Sequence, residues 1–134
     1  MKLTNAELLA RVVDGVITIN DALTVDGNII VPGKTLVVAG NIVAWDINAG
    51  DIDALDINAG NIDAWDIVAG NIDARNIDAR NIDAGNIDAL DIDYYAFCVA
   101  CDSITATSIA GRRENCFYKT LDGKITIKKQ GEEK

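Results

Sequence analysis

The chain has no histidine, one proline, three cysteines and only two Trp, three Tyr and two Phe among 134 residues. Each scarcity excludes something. Without histidine there is no side chain that ordinarily exchanges protons near neutral pH. No glycine-rich phosphate loop is present, and no serine or cysteine lies beside a base that could activate it. Catalysis therefore has no visible machinery, and the expectation is a non-enzyme with no catalytic residue, no cofactor and no metal. Cys98-Val-Ala-Cys101 has the CxxC spacing of zinc and redox sites. A structural zinc needs four ligands, however, and only Cys116 remains to help. The strand-then-helix setting of a redox CxxC is also missing. An odd number of thiols points to a reduced, cytoplasmic protein. No apolar run approaches the length of about 18 residues that a membrane span requires, so none is expected. Glu7 and Arg11 interrupt the apolar N-terminal stretch, which does not read as a secretory signal. Few aromatics argue against a core built on ring clusters, and 49% hydrophobic residues exclude a disordered acidic tail.

What is present is a five-residue beat. Isoleucine falls at 42, 47, 52 and every fifth position through Ile92, with alanine two places later from Ala44 through Ala89. Five matches neither the 3.6 of a helix nor the 2 of a strand, so the chain must turn a corner in every unit. In Asn61-Ile62-Asp63-Ala64-Trp65, Ile62 and Ala64 face one side of a short extended stretch and Asp63 the other. The variable residue and the following Asp or Asn make the corner, since Asn and Asp form side-chain turns and tolerate left-handed backbone. The expected fold is all-β, a β-helix solenoid.

Four right-angled corners of five residues each would close a coil of twenty. Trp45 and Trp65 are twenty apart, as are Gly40/Gly60 and Gly50/Gly70. On that geometry Ile42, Ile62 and Ile82 share one buried column, Trp45 stacks on Trp65, and Asp53, Asp73 and Asp93 form one ladder.

Over residues 41–93 the unit resembles the pentapeptide-repeat family, with large and small residues exchanged between the two inward positions. The resemblance implies a right-handed, four-sided β-helix. Strings such as Val25-Asp26-Gly27-Asn28-Ile29 are similar, more weakly, to polymer-forming cytoskeletal β-helix proteins. Some pentapeptide-repeat proteins are acidic rods that occupy the DNA groove of gyrase, and small acidic phage proteins block restriction or CRISPR nucleases. The resemblance thus implies a DNA mimic acting as an inhibitor or protector of such an enzyme.

A chain of this length suits one domain, 1–134. Within it, 1–15 reads as an N-terminal cap, 16–40 as irregular first coils, 41–110 as the repeat β-helix and 111–134 as a C-terminal cap. Solenoid ends expose unpaired backbone and need covers. Thr4-Asn5-Ala6-Glu7 is a capping-box pattern opening a short helix through about Val13, with Leu8, Leu9, Val12 and Val13 as its apolar side. After Ile92, Phe97 and Val99 fit the inward slots, and a bulge near Ala100 to Ser103 absorbs the late arrival of Ile104. Cys116 to Ile127, with Asp122-Gly123 as a tight turn, reads as a closing hairpin.

Residues 41–93 hold twelve Asp and two Arg, a net of −10 against −9 for the whole chain. With twenty residues per coil and a strand spacing of roughly 4.8 Å, that segment is about 13 Å long and carries about −0.8 charge per Å. Duplex DNA carries about −0.6 per Å. Such a rod repels phosphates, so direct nucleic-acid binding is not expected. The expected partner is a basic protein surface, that of a DNA- or RNA-handling enzyme. Candidate contact residues are Asp46, Asp53, Asp66, Asp73 and Asp93 with the exposed corner residues Trp45 and Trp65. Leu55, Leu90 and Tyr95 occupy similar outward corners. The competing class is structural: a scaffold or polymer unit, or a homodimer, stacking through coil ends.

Overall fold

A computed structural model describes residues 1–111, 116–121 and 123–127. They form one short helix, Asn5–Leu9, followed by parallel strands wound into a β-solenoid of about six turns. The solenoid is as expected. The coil is not: it has three sides and a period of fifteen, in place of the four sides and twenty that the spacing of the tryptophans and glycines suggests. Ile42 pairs with Ile57, Ile47 with Ile62 and Ile52 with Ile67, each fifteen positions on.

The three faces follow one another along the chain. The first stacks Ile17, Leu36, Ile52, Ile67, Ile82 and Cys98; the second Leu23, Ile42, Ile57, Ile72, Ile87 and Ile104. The third stacks Ile29, Ile47, Ile62, Ile77 and Ile92. All of these side chains are buried. Ile42, Ile62 and Ile82 therefore stand in three different columns instead of one.

Core volume explains why three sides win. Protein interiors leave few voids larger than a water molecule. Around a square lumen, four Ile and four Ala would leave the centre empty, because an alanine methyl does not reach far from the wall. Around a triangle, three Ile meet near the axis and the Ala residues fit under the corners. The first coils support this account. Where the second inward position holds Ile19, Val25 or Val31 in place of Ala, the coil lengthens to eighteen or nineteen. Larger contents go with a longer circumference.

At the N-terminal end the capping box is present, Thr4 Oγ1 accepting from the Glu7 amide and Glu7 Oε1 from the Thr4 amide. The helix stops at Leu9, short of the expected Val13. Leu8 is buried and partly buried Val12 packs on the core, whereas Leu9 and Val13 are exposed. A turn through Asp14 and Gly15, both with positive φ, then delivers the chain into the first strand.

Beyond Ile92 two register shifts occur, one between Tyr94 and Phe97 and one between Ala100 and Ser103. Only the second is expected from the sequence. The first adds a residue at the corner and reverses the inward parity, so Cys98 and Ala100 point into the core in place of Phe97 and Val99. The CxxC cysteines accordingly part: Cys98 is buried and Cys101 exposed. Tyr94 enters the slot that alanine fills elsewhere and is only 2% exposed. Gly111 lies above it, where a Cβ would meet Cys116 Sγ and sit 3.0 Å from Tyr94 Oη.

The expected closing hairpin is replaced by a last coil. Phe117–Thr120 and Lys124–Ile127 each pair in parallel with the strand below, on the first and second faces. Asp122 of the expected tight turn, and residues 112–115 and 128–134 of the expected cap, lie outside the described residues. The inward-pointing Tyr118 and Ile127 are 41% and 50% exposed.

Candidate interaction face

Each repeat strand begins with Asp or Asn, whose side chain bonds along the stack. In one column Asn71 Nδ2 donates to Asp56 Oδ1 (3.0 Å), Asn86 Nδ2 to Asn71 Oδ1 (2.8 Å) and Ser103 Oγ to Asn86 Oδ1 (2.9 Å). In another, Asn81 Nδ2 donates to Asp66 Oδ1 (2.9 Å). Asp46 Oδ1 and Asp51 Oδ1 accept the backbone amides of Asn61 and Asp66. Asp46, Asp51, Asp56 and Asp66 thus serve as acceptors within these ladders, a structural role that the frequency of Asp in the sequence does not reveal.

The residue after the inward Ile points outward. Its three columns differ. On the first face it runs Asp53, Val68, Asp83, so no two carboxylates are adjacent. On the second it runs Asn58, Asp73, Asp88. On the third it runs Asn48, Asp63, Asp78, Asp93, three carboxylates on successive coils. With Asp46 and Asp91 at the strand starts, the third face holds five of the twelve Asp residues. The two rows are about 6.6 Å apart and successive coils about 4.8 Å. Between them runs a shallow groove.

The expected ladder of Asp53, Asp73 and Asp93 is not formed, because a step of twenty positions is one coil and one face further. Asp53 and Asp66 lie on the first face, Asp73 on the second, and Asp46 and Asp93 on the third. Trp45 and Trp65 do not stack either. Trp45 shares its corner with Gly60, Arg75 and Leu90, while Trp65 shares the next corner with Gly50, Arg80 and Tyr95. Yet these two corners are the ones that flank the third face. The acidic strip is framed by an indole on either side, exposed by 65% at Trp45 and 48% at Trp65.

No family model, characterised protein or solved structure matches this chain.

Asp63, Asp78, Asp91, Tyr95 and Arg80 join the face although they are not among the candidate contacts that a period of twenty selects. Reading at a period of fifteen finds them; Arg80 falls one such step after Trp65, where its guanidinium lies 5.2 Å from the ring centroid. Among the described residues no three His, Cys, Asp or Glu side chains are grouped to hold a metal ion, and no helix is long and apolar enough to cross a membrane.

Proposed function

We propose that the chain is a non-enzymatic binding protein whose third face docks on a basic protein surface of the kind that lines the nucleic-acid channel of a DNA- or RNA-handling enzyme. The observation that carries this reading is the run Asp63, Asp78, Asp93 between the two indole corners. With fifteen residues per coil, residues 41–93 extend over about 17 Å and carry about −0.6 charge per Å, the density of duplex DNA. Like charges held a strand spacing apart oppose folding. Their presence supports a use for the charge. Exposed Trp adds the large, rigid contact area that interfaces favour.

The test is competition. The protein should displace duplex DNA from gyrase, a restriction endonuclease or a CRISPR nuclease at low salt and lose this ability at high salt. Replacing Asp63, Asp78 and Asp93 by Asn should abolish displacement, whereas replacing Asp53 and Asp83 should not. If neither set of changes matters, or none of these enzymes is bound at low ionic strength, the reading fails.

The exposed Tyr118 and Ile127 of the last coil support a second reading, a structural unit that pairs through its C-terminal end. The helical lid at the other end opposes indefinite head-to-tail growth. Sedimentation as a discrete dimer at micromolar concentration, lost on replacing Ile127 by Lys, would support pairing; a monomer would exclude it.

A further inference from the structure

The two indole corners are built alike but filled differently. One coil above Trp65 stands Arg80, its guanidinium over the ring at 5.2 Å with Asp63 and Asp78 alongside. One coil above Trp45 stands Gly60, which has no side chain. The level equivalent to Arg80 is therefore an open notch. Its walls are Trp45 below and Arg75 above, its floor is Gly60, and its rim is Asp46, Asn58 and Asp73.

We propose that this notch is an arginine-binding slot, taking a guanidinium from the basic partner at the level that Arg80 occupies on the neighbouring corner. The inference rests on the acidic-face reading and names the partner group that anchors it. Charge selects the occupant. Asp46, Asp73 and Arg75 sum to −1, so an entering guanidinium brings the slot to neutrality, whereas a carboxylate or phosphate would bring it to −2 or beyond. Shape selects it further. A guanidinium is planar, weakly hydrated and stacks on an aromatic face while its edge donates to carboxylates; an ammonium is compact and holds its water. The first arrangement already exists within this chain, between Arg80 and Trp65.

The experiment uses two octapeptides, one alternating arginine with glycine and one alternating lysine with glycine, titrated calorimetrically into the whole protein at low ionic strength. Trp45→Ala is the test variant; Trp45 is an exposed corner residue, and an unchanged melting curve confirms the fold. The arginine peptide should bind about two- to fivefold more weakly to Trp45→Ala than to the parent, the range of an exposed cation–π contact. The lysine peptide should change less. In a Trp65→Phe protein, where only Trp45 emits, the arginine peptide should shift the emission. Equal losses for the two peptides, or no loss for either, overturn the slot. If in that case both peptides still bind and Asp63→Asn/Asp78→Asn/Asp93→Asn weakens them, the acidic face stands without the slot. If neither peptide binds at all, both proposals fall.

Discussion

Asp78 offers the sharpest check of the three-sided geometry. It sits between Asp63 and Asp93 in the outward column of the third face, one strand spacing from each. At about 4.8 Å and the dielectric constant of water, each neighbour repels it by about 0.9 kcal/mol. Screening at about 0.15 M salt roughly halves this, leaving about 1 kcal/mol for the two together. Arg80, lining the same corner as Asp63 and Asp78, offsets part of it. Asp78→Asn should therefore stabilise the fold by about 0.5–1 kcal/mol at about 0.15 M salt, and the gain should largely vanish at about 1 M. Asp53→Asn is the control: its column neighbours are Val37 and Val68, so no adjacent carboxylate is relieved and the change should stay within about 0.3 kcal/mol. Urea unfolding followed by circular dichroism, at both salt concentrations and with equal slopes, measures the difference. A coil of twenty would instead place Asp53 beside Asp73, and Asp78 beside the uncharged Asn58. Equal stabilisation by the two substitutions, or a gain at Asp78 that does not respond to salt, would refute the assignment of neighbours.

Three further outcomes follow from the C-terminal coils. Burial pushes the Cys98 thiol up to about 12 from its ordinary 9.0; burial, then the hydrogen bond to Cys116, pushes the Tyr94 phenol up to about 12 from 10.0. Both groups keep their protons longer in the folded chain, so their contribution to stability is full below about pH 9 and is lost as pH rises through about 12. Tyr94→Phe should flatten that alkaline loss in a pH titration of urea midpoints, and Ellman's reagent at mildly alkaline pH should label exposed Cys101 well before Cys98. Gly111→Ala should lower the melting temperature, because the new methyl meets Cys116 Sγ and the Tyr94 hydroxyl; a melting curve identical to the parent's would mean that the space above Tyr94 is not filled as described.

What is legible in the sequence divides along physical lines. The Ile-x-Ala beat requires a corner every five residues whatever the cross-section, so the solenoid can be read directly. The number of corners cannot, since three or four units are equally periodic. That choice rests on how much volume the inward side chains supply, and Ala at every second inward slot decides it. The Trp45/Trp65 and glycine coincidences at twenty point to the wrong multiple, and with it the site disperses: Asp53 and Asp73 move to other faces while Asp63, Asp78 and Asp91 come together. At the C-terminal end one inserted corner residue between Tyr94 and Phe97 is enough to exchange inside and outside for Phe97 and Cys98. The capping box, in contrast, is a local pattern whose partners are three residues apart, and no choice of cross-section disturbs it.

The Asp56–Asn71–Asn86–Ser103 column runs in one direction only: every donor points toward the N-terminal coil, and Asp56, which has no hydrogen to give, can stand only at the base. An Asn level both accepts from above and donates below, so it can be followed by another Asn level without limit. A gene segment encoding one fifteen-residue coil of the Asn type could be duplicated in tandem and its product would join the column, in register, with no new cap and no orphaned donor. Each copy would lengthen the rod by about 4.8 Å. Length in this architecture is thus open to stepwise evolutionary adjustment, while the two ends remain unchanged.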